Sequence, residues 1–119
     1  MNTRGYIQLH RKLTDHWLWD EVRVFSRAEA WIDLLLQAQW GDGNTLWTGS
    51  VVPLKRGEIL TSQTRLMKKW RWSNSKVRGF LDTLCDENMI DVFPMKKYTR
   101  IKILAYGDYQ LQRKETVFS

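Results

Sequence analysis

Residues 70–84 read WRWSNSKVRGFLDTL, and residues 89–102 read MIDVFPMKKYTRIK. In the first stretch, Ser73 is a favourable N-cap residue because its side chain can accept a hydrogen bond from an exposed backbone N–H of the first turn. Apolar residues follow at the spacing i, i+3, i+4 and i+7 that marks the buried side of a helix: Val77, Phe80, Leu81 and Leu84. The stretch therefore predicts an amphipathic helix over residues 74–87.

A second helix is predicted immediately before this one. Ser62 can cap a helix over residues 63–70, with Leu66, Met67 and Trp70 directed inward. Only residues 71–73 separate the two helices, and this spacing is that of a helix-turn-helix.

The chain after these helices has the pattern of a β-hairpin. Ile90 and Val92 alternate with their neighbours, and Ile101 and Ile103 do the same on the return strand. Residues 95–97 form the tip, and Pro94, which lacks an N–H, fits the end of an edge strand. We predict an α+β fold, a winged helix-turn-helix with additional N-terminal helical elements and a small antiparallel sheet.

The positive charge of the chain lies on this same segment. Residues 65–102 contain ten Lys or Arg against four Asp or Glu, whereas the rest of the 119 residues contains nine of each kind. A basic surface confined to one segment favours a polyanionic partner, most often nucleic acid. A helix-turn-helix with a basic hairpin makes double-stranded DNA the expected partner.

The charge order along residues 74–87 supports this expectation. Lys76 and Arg78 lie in the first turns, and Asp82, Asp86 and Glu87 lie in the last ones. This order is unfavourable with respect to the helix dipole and costs about 0.3–1 kcal/mol of stability per charge. A recognition helix explains the order, because its front end meets phosphates and base edges. The alternative is a solvated face with an accidental charge order.

Three groups of residues are candidates for DNA binding. The front of the recognition helix supplies Ser73, Asn74, Ser75, Lys76 and Arg78. The hairpin, or wing, supplies Lys96, Lys97 and Arg100, although lysines also protect edge strands from aggregation. The end of the preceding helix supplies a weaker group, Lys68, Lys69 and Arg71.

The N-terminal half of the chain carries further local signals. Residues 6–9 could be extended, and a short helix is expected to end near Asp15. Ser26 and Glu29 form a capping box that predicts a helix over residues 27–40. Residues 45–54 and 58–61 favour strands, and we expect them to pair as a small hairpin.

The seven tryptophans are expected in different environments. Trp31 and Trp70 lie on apolar helix faces and are expected in the core. Trp72 could pack under the turn between the two helices or stack on the nucleic acid, and packing is favoured. The other candidates, Trp17, Trp19 and Trp47, could form a surface patch for a protein partner.

Other classes of protein lack support in the sequence. Cys85 is expected to be a small core residue. Together with His10 and His16 it gives only three possible soft ligands, without the spacing of a recognisable zinc site. We expect no enzymatic activity, no cofactor and no metal. The first residues do not resemble a signal peptide and no apolar run could span a membrane, so a cytoplasmic location is expected. We expect one domain over residues 1–110 and a polar tail over 111–119.

The chain also resembles the N-terminal winged-helix domain of phage replication-initiation proteins, the replisome organisers, which are related to DnaD-like primosome proteins. The similarity covers about residues 5–110. It depends on the order of several short segments, at residues 5–13, 25–31, 55–58, 61–62, 72–73, 76–81, 89–90, 101–103 and 106–110. The resemblance implies origin binding and, as a partner, a helicase or helicase loader of host or phage.

Two other functions stay open. A winged-helix transcriptional regulator would use the same fold and chemistry at a promoter. A protein-interaction or oligomerisation module would use the winged helix as a scaffold, and self-association of the chain is compatible with each of these functions.

Overall fold

The computed structural model describes residues 11–104. A 3₁₀ helix, Arg11–Asp15, is followed by α1 (Arg27–Gln37) and by three strands, β1 (Gly43–Trp47), β2 (Ser50–Leu54) and β3 (Glu58–Thr61). Two helices come next, α2 (Gln63–Trp70) and α3 (Asn74–Asp86), and then β4 (Ile90–Pro94) and β5 (Thr99–Ile103). The described residues thus form a small α+β domain with three α-helices and two small antiparallel sheets. The expectations for residues 6–9, for the domain limit at 110 and for the tail over 111–119 lie outside these residues.

The predicted capping box opens α1. Ser26 Oγ accepts a hydrogen bond from the Glu29 N–H at 3.1 Å, and Glu29 Oε1 accepts one from the Ser26 N–H at 2.9 Å. The Ser26 N–H and then the Arg23 guanidinium, 2.7 Å from Glu29 Oε2, lower the pKa of Glu29 below its ordinary value. The start of this helix is therefore confirmed.

The end of α1 differs from the expectation of residue 40. Ala38 already has an extended backbone, with a ψ of 141°. The Gln39 N–H donates to the Glu58 carbonyl at 3.0 Å, and the Gln39 carbonyl accepts from the Gly57 N–H at 2.8 Å. The helix ends at Gln37 because the following chain forms hydrogen bonds with the start of β3.

The expected pairing of residues 45–54 with residues 58–61 is wrong. Residues 43–54 instead contain two strands, β1 and β2, which pair with each other around Thr48 and Gly49. Both turn residues have a positive φ, 44° and 86°, as the tight hairpin turns that match strand twist require. β1 and β2 form a two-stranded sheet, and β3 belongs to the other one.

The second sheet has the strand order β3-β5-β4, with both pairings antiparallel. Ile101 of β5 lies opposite Ile59 of β3 on one side and Val92 of β4 on the other. The hairpin of β4 and β5 confirms the alternation seen in the sequence, since Ile90, Ile101 and Ile103 are buried. Pro94 is the last residue of the edge strand β4, as expected.

Both predicted helix caps of α2 and α3 are present. Ser62 accepts a hydrogen bond from the Arg65 N–H, and Ser73 accepts one from the Lys76 N–H. Between the helices, Arg71 has a left-handed backbone, with a φ of 59°. Trp72 is buried under this turn, as expected, and its indole N–H donates to the Phe25 carbonyl at 2.8 Å.

The core forms where α1, α2 and α3 pack on the inner face of the β3-β5-β4 sheet. Three aromatic rings lie at its centre with edge-to-face contacts, and their centroids are 5.0–5.9 Å apart: Trp70, Trp72 and Phe80. The apolar side of α3 is buried as predicted. Trp70 is confirmed as a core residue, and Trp31 is half-buried against the same cluster.

The expected surface patch of three tryptophans is absent from the described residues. Trp17 is 70% exposed, whereas Trp19 packs against the main core. Trp47 is buried in a separate cluster with Val52 and Leu54. The sequence could not separate these residues, because strand and turn tryptophans look alike until the partner of each strand is known.

Candidate nucleic-acid interface

The front of α3 is held by contacts from its own cap and from α2. The Ser73 hydroxyl accepts a hydrogen bond from the Lys76 N–H at 3.2 Å, so this side chain serves the helix end. The side-chain oxygen of Asn74 accepts a hydrogen bond from the Gln63 amide of α2. Asn74 and Ser75 are both exposed, and the contact with Gln63 restricts the orientation of Asn74.

Lys76 and Arg78 lie on opposite flanks of α3. Two residues along a helix rotate a side chain by about 200°. On one flank, Lys76 Nζ is 4.4 Å from the centroid of the Trp72 ring. On the other, Arg78 lines a groove of ≈ 260 Å³ between α3 and the β4–β5 hairpin, with Gln63, Pro94 and Thr99. The two cations therefore border the exposed face of α3 from both sides.

The middle of that exposed face carries little side-chain volume at its front. Ser75 and Gly79 are exposed there, one turn apart, and Asp82 and Asp86 continue the face toward the end of the helix. A Cβ added to Gly79 would meet no atom within 4 Å. The front half of α3 is thus open and bordered by cations, whereas its rear half is acidic.

The tip of the β4–β5 hairpin carries the second group of predicted residues. The Met95 N–H donates to the Tyr98 carbonyl at 2.8 Å and closes the loop. Lys96 and Lys97 are exposed at this tip. Pro94 and Thr99, which flank this tip, line one groove with Arg78, so the structure brings the base of the tip next to the front of α3.

Arg100 follows the tip on β5. It is the second residue of this strand, lies opposite Phe93 and Leu60, and alternates with the buried Ile101. Its guanidinium carbon is 5.7 Å from the Phe93 ring centroid, and its Nε is buried without a hydrogen-bond partner among the described residues. It lines a cleft of ≈ 700 Å³ between the sheet and the β1–β2 hairpin, with Asp42, Glu58 and Lys102.

All three residues of the third predicted group are exposed, but only Lys69 makes an ion pair with a buried residue. Lys68 and Arg71 are exposed and line a depression against residues 19–23. Lys69 Nζ instead lies 2.9 Å from Asp33 Oδ1, and that carboxylate is fully buried in α1. Its other oxygen accepts hydrogen bonds from the Trp70 indole at 2.9 Å and from Gln37 at 2.7 Å. The Lys69 ammonium is engaged by this ion pair and is therefore not part of the proposed DNA contacts.

Asp33 is the important residue that the sequence reasoning missed. It comes three residues after Ala30 and directly before Leu34, so its position in the sequence already places it on the buried side of α1. A carboxylate at such a position requires a cationic or hydrogen-bonding partner from another element. The sequence could therefore have indicated a partner, although not which residue supplies it.

Cys85 lies half-buried on α3 and packs against the core. Burial, followed by the charges of Asp82, Asp91 and Asp86, raises the pKa of its thiol. Within residues 11–104, no three His, Cys, Asp or Glu side chains are grouped as metal ligands. No helix of this part of the chain is long and apolar enough to cross a membrane.

Comparisons with known proteins identify no match. No match was found among family models, characterised proteins or solved structures.

Proposed function

We propose that the chain is a winged-helix protein that binds duplex DNA in a sequence-specific manner. The observation that carries the proposal is the joint placement of the front of α3 and the tip of the β4–β5 hairpin. The order α1, β3, α2, α3, β4, β5, with the β1–β2 hairpin inserted after α1 and the sheet order β3-β5-β4, supports the winged-helix assignment. In this fold α3 is the recognition helix and β4–β5 is the wing.

The proposed contact places the front half of α3 in the major groove. The groove is about 12 Å wide and admits one helix, so the flanks of that helix face the two phosphate backbones. Lys76 and Arg78 lie on these flanks, and Asn74 and Ser75 point toward base edges. Asp82 and Asp86 stay outside the groove because phosphates repel them. The wing places Lys96 and Lys97 on the neighbouring backbone.

A role in phage replication initiation is the proposed biological setting. Its support is the resemblance of the chain to the replisome organisers, which implies an origin as the DNA site and a helicase or helicase loader as a partner. A transcriptional regulator would use the same DNA contacts at a promoter. Identification of the bound site in a genome distinguishes these two roles.

A protein-interaction module is the second candidate, and one observation favours it. Leu46 and Val51 lie directly opposite each other in the β1–β2 hairpin, and they are 67% and 65% exposed. A cross-strand apolar pair on the solvent face is suited to contact with another protein. In this function the basic residues would contribute nothing to binding.

A salt titration of DNA binding tests the proposed function. Duplex binding is followed by fluorescence anisotropy from about 50 to 200 mM salt, and affinity should fall linearly on logarithmic axes. Lys96→Gln with Lys97→Gln should lower the slope by roughly 0.9 for each phosphate that the variant no longer neutralises. Arg27→Gln with Lys55→Gln removes two exposed cations elsewhere and should leave the slope unchanged.

A wild-type protein that shows no salt-dependent duplex binding would refute the proposal. An equal decrease of slope in the wing variant and in the control would assign the effect to net charge alone and would remove the wing from the interface.

A further inference from the structure

The β1–β2 hairpin makes a specific contact with the tip of the wing through Trp47. This residue ends β1, is 7% exposed, and packs on the inner side of the hairpin with Val52 and Leu54. Its indole N–H donates to the Lys97 carbonyl at 3.2 Å. Its ring makes an edge-to-face contact with Tyr98, with the centroids 5.9 Å apart. The loop that carries the wing lysines is therefore attached to a second hairpin.

The same indole also contacts a cation from α2. The guanidinium carbon of Arg65 lies 4.1 Å from the centroid of the Trp47 ring, and Arg65 is exposed. Its backbone N–H is used by the Ser62 cap. The ion pairs found among the described residues, Arg23–Glu29 and Lys69–Asp33, do not involve Arg65. A guanidinium stacked on an aromatic ring keeps its N–H edge available for phosphate oxygens.

We propose that Trp47 is a positioning residue for DNA binding and that it joins Arg65 and the wing tip into one phosphate-binding surface. The proposal rests on the proposed function. A flexible lysine-rich loop loses conformational freedom when it binds a phosphate backbone, and this loss weakens binding. Trp47 reduces the loss because it holds the loop at Lys97 and Tyr98 before DNA arrives. It also places Arg65, which the sequence did not indicate, beside the wing lysines.

The β1–β2 hairpin packs on the β3-β5-β4 sheet through Leu60 and Tyr98 but is not continuous with it. β1 and β2 pair only with each other and form no strand pairing with the β3-β5-β4 sheet. The contacts of their inner side with the wing run through Trp47 and its neighbours. A hairpin that merely covered the outer face of the sheet would need apolar area there, but not an indole N–H directed at the backbone of the wing tip.

Trp47→Phe is the variant that isolates the positioning role. It keeps an aromatic ring for Arg65 and Tyr98 but removes the N–H that holds the Lys97 carbonyl. Val51→Thr is the matched control, since Val51 lies on the outer face of the same hairpin and has the same shape as threonine. Unchanged amide NMR signals of α2 and α3 show that both variants are folded.

The first measurement uses the protein without DNA. In Trp47→Phe, backbone order parameters at residues 96–98 should fall and amide exchange there should accelerate, whereas Val51→Thr should match the wild type. The second measurement is the duplex titration over salt. Trp47→Phe should weaken binding about tenfold. This is the expected cost of immobilising a few side chains of the wing tip that Trp47 no longer holds before DNA binds. Neutralisation of Lys96 and Lys97 should then have a smaller effect in Trp47→Phe than in the wild type.

Arg65→Gln tests the second part of the surface and is suited to it because the side chain is exposed. It should lower the salt slope by roughly 0.9, and the loss of its contact with the Trp47 ring should lower the free energy of unfolding only slightly. An unchanged slope would remove Arg65 from the DNA contacts. Unchanged order at the tip of Trp47→Phe would overturn the positioning role. A wild-type protein that binds no duplex would refute the proposed function itself. This failure is distinguishable from that of the positioning role, because the order measurement needs no DNA.

Discussion

Gly79 shows at the scale of one residue that stability alone does not explain α3. Glycine in the middle of a helix is about 0.5–1 kcal/mol less favourable than alanine. No neighbouring atom within 4 Å requires its small size, and its backbone adopts the ordinary helical conformation. The absence of a side chain does allow another surface to approach the centre of the exposed face of α3, between Lys76 and Arg78.

Gly79→Ala should therefore separate stability from binding. The free energy of unfolding should rise by about 0.5–1 kcal/mol in a urea titration, because alanine loses less backbone entropy. Affinity for duplex DNA should fall, because the added methyl group meets the DNA surface. Ala28→Gly, at an exposed position of α1, should lower stability by a similar amount and leave DNA affinity unchanged. Wild-type affinity in Gly79→Ala would show that no partner closely approaches this face.

Cys85 leads to a prediction about reactivity. Burial and three nearby carboxylates raise the pKa of its thiol, so the thiolate fraction at neutral pH is smaller than for an exposed cysteine. A thiol reagent should label the native protein slowly at pH 7. The labelling rate should continue to rise at pH values where an exposed cysteine is already fully ionised. Labelling in urea provides the control and should be fast. Rapid labelling of the native protein would show that Cys85 faces solvent, so that α3 presents a different side to the core.

At the scale of elements, the contact between α1 and α2 depends on Lys69 and Asp33. The carboxylate is fully buried, and the lysine side chain that pairs with it is 41% exposed. Two hydrogen bonds, from Trp70 and Gln37, remain when the lysine is removed. The cation is thus the part of this polar cluster that compensates the buried charge.

Lys69→Met should destabilise the protein by about 2 kcal/mol, because it leaves a buried carboxylate without its cation. Lys68→Met, the neighbouring exposed position, should change the free energy of unfolding by less than about 0.5 kcal/mol. Both values follow from urea unfolding at pH 7. Equal stability of the two variants would mean that Asp33 needs only its hydrogen bonds, and Lys69 would return to the candidates for DNA contact.

At the scale of the whole molecule, the proposed interface is built from three separate parts of the chain. α3 supplies its front end, and the wing supplies its tip. α2 supplies Arg65 and also Gln63, whose amide donates a hydrogen bond to Asn74. Exposed residues on different elements can read DNA together only if their relative positions are fixed. The core of Trp70, Trp72 and Phe80 fixes α2 against α3, and Trp47 contacts both the wing tip and Arg65 of α2.

A comparison of specific and random DNA should separate two kinds of residue on α3. Asn74→Ala should cost about 1–3 kcal/mol on the preferred site, because its amide can make a bidentate base contact, and much less on random duplex. Ser75→Ala removes a single hydroxyl and should show the same preference with a smaller loss. Lys76→Gln and Arg78→Gln should weaken binding to both duplexes similarly, because they meet phosphates. The preferred site is obtained by selection from a random duplex library. Equal losses on both duplexes in all four variants would leave α3 without base contacts.

The local features of this protein follow from short-range patterns in its sequence. Ser26, Ser62 and Ser73 each start a helix as predicted, since a cap depends on residues three positions away. The buried sides of α2 and α3 and the hairpin of β4 and β5 also followed from short-range periodicity. The basic charge of residues 65–102 was visible in the composition alone.

Only the tertiary structure decided which elements meet. The sequence did not show that residues 43–54 are two strands, because the turn at Thr48 and Gly49 is marked by backbone angles more than by residue type. Nor could it show that β3 pairs with β5, that Asp33 meets Lys69, or that Trp47 reaches the wing. Strand pairing and buried ion pairs join residues far apart in the chain, and their free energy depends on burial and distance, which exist only once the chain has folded.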